Sequence, residues 1–575
     1  MTTSRFSTRG LARMSAHHPW RMLGAWLLIV VLAIALQGTM SGALTNDATF
    51  TNNPESKQGL DLIESRIAKE PLSETVVITS KTKTVDDAAF KAVVEQTTND
   101  LTGMKQVVAG ATNYYQAQQA GDPSAKKLVS KDGHSTIIPV TLTSSNYDDL
   151  KDYGKKYVST AQGHAGNGID VYAVGDLSGA EVYNKIADED MGKDLTIGLP
   201  VAAIVLIFVF GALVAAGLPL LLGIVAIIVA TGLTAVLSQI IDVNSTVTVM
   251  ISMIGLAVGI DYALFLIERF REERRHGLAK HEAIEVAGGT AGKAVFFSGA
   301  TVIFALLGMF IIPVSIFHSL AVGAVLAVLV AVFATQTLIP ALLSLIGDKV
   351  NWPRRPKYDA ASVAAQQRYD QETIHRGFWG RVTRVVMNRP AVAISAALLI
   401  LVVAALPYFS IQTGMPGYET LPESSVKQGY EVLANKFYAG EIAPVEFVIK
   451  GAPDSPAVAQ GVNTLKAKLA DDPLYGAASV TGTQDNGGLT VVKVPMGVDP
   501  NSEQAFDQIK HLRNDVVPAA FGSDANHVYV TGQTAFTVDF NDALGIYTPY
   551  VFAFVLGLSF LLLMMAFRSI VVPAT

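Results

Sequence analysis

Eight uninterrupted apolar runs of about 20 residues constrain this chain more than any other feature. They are Met22–Met40, Leu195–Ala215, Gly217–Ile240, Thr246–Ile267, Ala294–Pro313, Leu320–Ile346, Pro390–Phe409 and Ile546–Phe567. A run of that length spans the roughly 30 Å hydrocarbon core of a bilayer as a helix, the form that satisfies every backbone polar group within one segment. The expected fold class is therefore an α-helical polytopic membrane protein. Half of the 575 residues are hydrophobic and 16% are charged, too apolar a balance for a soluble protein of this length. Cysteine is absent, which excludes disulfide frameworks and thiolate metal sites. The first run follows a basic leader, but it is longer than a secretory h-region and lacks a small-residue cleavage site, so it reads as a retained helix.

Lys and Arg set the orientation. The leader (Arg5, Arg9, Arg13, Arg21), one loop (Arg269, Arg271, Arg274, Arg275, Lys280) and one linker (Lys349, Arg354, Arg355, Lys357, Arg381) hold the basic clusters. Alternating the spans from a cytoplasmic N-terminus, residues 1–21, places all three clusters inside. The linker is then 347–389, and two large polar segments, 41–194 and 410–545, lie outside the cytoplasmic membrane.

Each outer segment alternates strand-like and helix-like patterns. In the first, Glu74–Ser80, Thr136–Thr143 and Ile169–Val174 read as strands, and Val85–Leu101 and Tyr147–Ala161 as amphipathic helices. The order approaches βαββαβ, a split ferredoxin-like α+β domain. The second segment repeats it with strands at Val445–Lys450, near Ala478, at Thr490–Pro495 and at Val528–Thr531, and helices at Ser455–Leu469 and Ser502–Val516.

The halves are related in detail. Pro54, Glu55 and Ser56, followed by Lys57, Gln58 and Gly59, return as Pro422, Glu423 and Ser424, then Lys427, Gln428 and Gly429. Gly175 matches Gly532 and Phe210 matches Phe567, both at a separation of 357 residues (532 − 175 and 567 − 210). In the first repeat four more spans follow, whereas residues 568–575 only begin such a series. The second repeat is therefore expected to be incomplete, with an equivalent of Asp261 falling near position 618 (261 + 357) of a longer product.

Asp261 is the candidate functional residue. It interrupts the otherwise uncharged run TVTVMISMIGLAVGIDYALFLI, where an ionised carboxylate costs roughly 2.5 to 3.5 kcal/mol on insertion scales, so such residues face protein or water and handle protons or ions. Tyr262 can donate to the ionised form. Ser298 lies at similar depth on the next, antiparallel helix, given 1.5 Å rise per residue, and Thr301 shares its face. Both could bond the carboxyl, or their own backbone. Gly255 and Gly259 form GxxxG, a helix-packing motif. The charged stretch Glu268–Glu285 reads as a solvated cytoplasmic helix. His134, His164, His318 and His527 are scattered without metal spacing or a nucleophile motif, so no metal, cofactor or enzymatic activity is expected. Nucleic acid is not an expected partner.

One helix, an outer domain, five helices and the start of the same series resemble the resistance-nodulation-division (RND) superfamily of transporters. The segment GIDYALFLIERFREE, Gly259–Glu273, is similar to the signature of its MMPL branch, the mycobacterial membrane protein large family, and the resemblance extends over the whole chain. It implies tandem-repeat RND architecture with porter-type outer domains. It also implies proton flow through Asp-Tyr pairs on the fourth and tenth helices that drives export of lipids or other hydrophobic molecules. Of those pairs only Asp261 and Tyr262 fall within this sequence. A multidrug efflux pump and a non-transporting lipid- or sterol-sensing scaffold are the alternative readings. Membrane lipids are expected neighbours, and an oligomer or accessory membrane proteins stay open.

Overall fold

A computed structural model describes residues 7–571 apart from 41–43, 46–47, 68–70, 354–377, 411–420, 438–442 and 484–487. The chain forms two compact units, one of Met1–Thr51, Asp194–Gln412 and Leu544–Thr575, the other of Asn52–Lys193 and Thr413–Ala543.

In the first unit the membrane-length helices are apolar nearly all round, and what distinguishes their faces is size. Alanines are buried (Ala226, Ala230, Ala324, Ala327, Ala331 and Ala334), while Phe208 is 90% exposed and Phe333 63%. Lipid tails are as apolar as leucine, so close packing of small residues, rather than burial of grease, holds such helices together. Among the described residues seven helical segments are long and apolar enough to cross a membrane: Pro19–Gln37, Leu213–Leu237, Val247–Arg275, Lys280–Ile311, Ser315–Asn351, Pro390–Tyr408 and Gln533–Met565. The run expected at Leu195–Ala215 is shorter. A π-helical turn at Asp194–Gly198 leads into Leu199–Phe210, and Gly211 ends that helix with φ 62°, a left-handed cap that glycine adopts without strain. The chain belongs to a multi-pass membrane protein.

The basic exit of the Val247–Arg275 helix is tied down. Arg271 donates from Nε to Asn351 Oδ1 (2.8 Å) and from Nη2 to the carbonyl of Phe210 (3.0 Å), capping the Leu199–Phe210 helix. Arg274 forks onto Asp348 with Nε and Nη2 at 2.8 and 2.7 Å. Gly277, at φ 90°, then turns the chain into Lys280–Gly289.

The second unit holds two four-stranded antiparallel sheets. Strands β1 (Ser73–Ser80), β2 (Val108–Ala111), β3 (Ser135–Leu142) and β4 (Ile169–Gly175) lie in the order β2-β3-β1-β4. Strands β5 (Val445–Lys450), β6 (Ser479–Thr483), β7 (Leu489–Val494) and β8 (Val528–Thr531) lie in the corresponding order β8-β5-β7-β6. Ala88–Gly103 and Gly154–Ala161 cover one face of the first sheet, burying Phe90, Val94 and Tyr157 against Val76, Ile78 and Val171. Pro456–Ala470 and Glu503–His511 do the same for the second.

The opposite faces are covered by exchange. The Ser425–Lys436 helix of the second segment packs Val426, Tyr430 and Leu433 on Val77, Ile137 and Val174 of the first sheet. The Glu55–Arg66 helix of the first segment packs Leu62, Ile63 and the following Ile67 on Val448, Leu489 and Val491 of the second. The glycines of the repeated Lys-Gln-Gly motif mark the two crossings: a Cβ on Gly59 would stand 2.9 Å from Thr531 Cβ, and one on Gly429 2.6 Å from Val174 Cγ2. A half-buried ion cluster adds to the Gly59 crossing. Arg513 pairs with Asp539 (2.6 Å) and Glu55 (3.3 Å), and Asp539 accepts from the backbone N–H of Ser56 at 2.9 Å.

Glu74 on β1 is 2% exposed. Its Oε1 accepts from the N–H groups of Leu177 (2.7 Å) and Ser178 (2.9 Å), in the first turn of the Asp176–Lys193 helix, while Oε2 finds no partner among the described residues. Burial pushes its carboxyl up to about 7 despite the pull of those donors. The folded protein thus holds this proton to about pH 7, whereas the unfolded chain releases it near 4.5. The stabilisation is full below the unfolded value and is lost as pH rises through the folded one, on the order of 3 kcal/mol in total. Thermal melts of the protein in detergent should therefore show a midpoint that falls between about pH 5 and about pH 8, with a clearly flatter profile in Glu74→Gln. Identical slopes would contradict this.

Candidate functional site

Val247–Arg275 is a 29-residue helix without proline, its start fixed by Asn244 Oδ1 accepting from the Thr246 N–H at 3.0 Å. It packs most extensively on Leu213–Leu237 and Ser315–Ile346. Its central contact is backbone on backbone. A Cβ on Gly259 would stand 2.6 Å from Gly223 Cα and 2.9 Å from its nitrogen, and one on Gly255 would stand 2.9 Å from Ile227 Cγ1. Gly255 and Gly259 therefore lie on the face that meets Leu213–Leu237.

Consecutive helical residues are turned about 100° apart, so Asp261 and Tyr262 cannot look the same way. Tyr262 turns inward and is 4% exposed. Its hydroxyl hydrogen-bonds the side chain of Ser298 and would lie 3.6 Å from a Cβ on Gly299. Asp261 is exposed, on a face that the described helices leave uncovered, and among the described residues its carboxyl accepts no hydrogen bond. Ser298 is thus brought to Tyr262, not to the carboxyl. Thr301 Oγ1 donates to the Phe297 carbonyl of its own helix at 2.9 Å, the backbone bond that hydroxyl side chains in apolar helices commonly make.

Three participants were not singled out in the sequence. Gly223 is the other half of the Gly259 contact. Gly299 leaves room for Tyr262 and for Val332, whose Cγ2 lies 2.3 Å from the position of a Cβ there. Gln336, 3% exposed, donates from Nε2 to the Gly292 carbonyl, and a Cβ on Gly292 would stand 2.8 Å from its Oε1. The seven-residue spacing of Gly292 and Gly299 on one helical face was the available signal.

Among the described residues no three His, Asp or Glu side chains converge to hold a metal ion. His134 Nδ1 bonds the Lys83 carbonyl at 2.7 Å and His164 bonds Asp100 at 2.8 Å, partners that serve the fold.

The chain is a polytopic helical membrane protein with two four-stranded α+β sheets and, within one long apolar helix, a carboxyl beside a tyrosine. The family model of the MMPL family matches residues 49–393 and 438–575, and the chain belongs to that family. It is 29% identical over 562 residues to the membrane protein YdfJ of Bacillus subtilis, covering 96% of this chain and 71% of that protein. It is 29% identical over 574 residues to the mycolic acid-containing lipids exporter MmpL11 of Mycolicibacterium smegmatis, covering 96% of this chain and 57% of the relative. To the trehalose monomycolate exporter MmpL3 of the same organism it is 25% identical over 583 residues, covering 95% and 56%. The chain thus spans little more than half the length of these two mycobacterial relatives.

The two GxxxG glycines should differ in tolerance. Gly259→Ala drives a methyl group into the backbone at Gly223, which cannot yield without separating two helices, while Gly255→Ala meets the movable Ile227 side chain. Overpacking of this kind costs about 1–3 kcal/mol. Melting in detergent should fall markedly for Gly259→Ala and less for Gly255→Ala; equal losses would show that the contact is not backbone-limited.

Proposed function

We propose that this chain forms the first Asp-Tyr relay of a proton-motive-force-driven exporter that moves lipids or other hydrophobic molecules across the cytoplasmic membrane. The observation that carries the reading is the division of labour between adjacent residues. Tyr262 is anchored inward on Ser298, and Asp261 is left with a free carboxyl on an uncovered face of an apolar helix. A carboxyl in that position is free to gain and lose a proton and to meet a further helix.

Protonation alters the charge on the exposed face of the Val247–Arg275 helix, and one charge crossing the membrane potential is worth roughly 2.3 kcal/mol per 100 mV. That is enough to bias a packed bundle between two arrangements a few kcal/mol apart. The route outward from Asp261 follows its own helix to Arg271, then the bond to the Phe210 carbonyl, then the Leu199–Phe210 helix, and so by the continuous chain to β4. In this reading the basic clusters are cytoplasmic, and the two ferredoxin-like sheets with their exchanged helices are the extracytoplasmic, porter-type domains of a tandem-repeat RND architecture. Lipid substrates rank ahead of drugs because two of the relatives bear the names of lipid exporters.

Asp261→Asn preserves shape and removes the titration. In the full gene product reconstituted into proteoliposomes with an imposed proton gradient, lipid export should drop by about 10²-fold or more, with Asp261→Glu keeping part of it and both variants folding normally. Export by Asp261→Asn at the parental, gradient-dependent rate would refute the relay.

A further inference from the structure

A cavity of about 590 Å³ opens within the membrane unit beneath the N-terminal helix Thr8–His17; Val332 and Gln336 in its wall share in the packing described above, but the relay does not use the space itself. Thr8, Arg9 and Leu11 form its roof, Thr290, Lys293, Phe296 and Phe297 one wall, and Val332, Phe333 and Gln336 the other. Its volume lies within the range of small-molecule sites, about 300 to 1,000 Å³.

Its lining is graded. At one end the charge is basic: Glu285 is shared by Arg13 at 3.2 Å and Arg9 at 3.8 Å, so one carboxylate answers two guanidinium groups. Lys293 is exposed, has no carboxylate within 4 Å among the described residues, and lies over the Phe297 ring at 5.8 Å. At the other end the rings of Phe296, Phe297 and Phe333 are largely exposed, on helices whose outer surface is otherwise apolar. Between them Gln336, nearly fully buried, spends its amide nitrogen on the Gly292 carbonyl and leaves Oε1 without a donor. That oxygen has no accessible surface and stands against Gly292, so Gln336 closes the inner end of the cavity by packing rather than by offering it an acceptor.

We propose that this cavity is a binding site for an anionic glycerophospholipid. The phosphate sits between Arg9 and Lys293, and the first methylenes of an acyl chain lie on Phe296, Phe297 and Phe333. The amphipathic Thr8–His17 helix closes over the headgroup as interfacial helices do. That the lipid comes from the cytoplasmic leaflet rests on the orientation proposed above. Binding in detergent does not, so failure of either reading leaves the other standing.

The test is native mass spectrometry of the protein in detergent, titrated separately with dioleoyl phosphatidylglycerol, dioleoyl phosphatidic acid and dioleoyl phosphatidylcholine. One anionic lipid, phosphatidylglycerol or phosphatidic acid, should be retained in preference to phosphatidylcholine. Lys293→Gln, a surface change that leaves the fold intact, should weaken it about fivefold, and Arg9→Gln with Lys293→Gln further. Photoactivatable acyl chains should label the segments 296–297 and 332–333. Equal retention of phosphatidylglycerol and phosphatidylcholine, unchanged ratios in the Lys293 variants, or labelling elsewhere would overturn the proposal. So would displacement by millimolar inorganic phosphate, which would mark a soluble-anion site, or lipid binding seen only after removal of residues 1–6, which would mark the chain's own terminus as the occupant.

Discussion

The backbone contact between Gly223 and Gly259 is the constraint on which the membrane unit depends. Apolar helices in lipid gain nothing from hiding leucine and must gain from fit. Removing two side chains brings Leu213–Leu237 and Val247–Arg275 within reach of each other's backbones, and the same device recurs where Gly232 meets Ala33 and Gly323 meets Val247. Once those distances are set, the rotation of the Val247–Arg275 helix is set with them. Gly255 and Gly259 face one neighbour, Tyr262 turns to Ser298 and Gly299, and Asp261 is carried to the uncovered side. The position of the carboxyl is thus a consequence of packing, and Arg271 and Arg274 fix the same helix at its end through Phe210, Asn351 and Asp348.

The second unit solves a different problem. Its sheets carry apolar residues on both faces, as the almost unbroken burial of β1 and β7 requires, and each segment's own two helices cover only one of them. Exchange of Glu55–Arg66 and Ser425–Lys436 supplies the missing layer twice and makes the two segments one unit. At the first-sheet crossing Lys436 pairs with Asp132 at 3.1 Å, while the ion cluster of Arg513, Asp539 and Glu55 lies at the second-sheet crossing. Breaking such a pair leaves a charge half-buried and costs about 3–5 kcal/mol, so it fixes which helix lies on the second sheet more than it adds to net stability.

Much of this was legible before the structure. Span lengths follow from bilayer thickness, and most strands and helices of the two large polar segments follow from periods of two and 3.6 residues, the short strand Val108–Ala111 excepted. Where the sequence reading and the structure part, a local backbone choice or a long-range partner is responsible. The second span is shorter than its apolar run because Gly211 turns left-handed, which hydropathy does not register. Ser298 was expected near the carboxyl; depth along neighbouring helices is readable from rise per residue, but the 100° between Asp261 and Tyr262 decides which of them it meets. The Lys-Gln-Gly repeat was visible as a repeat, while its meaning, a glycine where a helix crosses the other segment's sheet, required knowing that the segments exchange helices.

The central claim is that Asp261 gains and loses a proton within the membrane. Infrared difference spectroscopy of the protein in lipid bilayers, titrated between about pH 5 and about pH 9, reads that carboxyl directly, with Asp261→Asn as the blank. The account predicts a protonated-carboxyl C=O band that grows as pH falls and is missing from the blank. A carboxyl that stays in one protonation state throughout would contradict it.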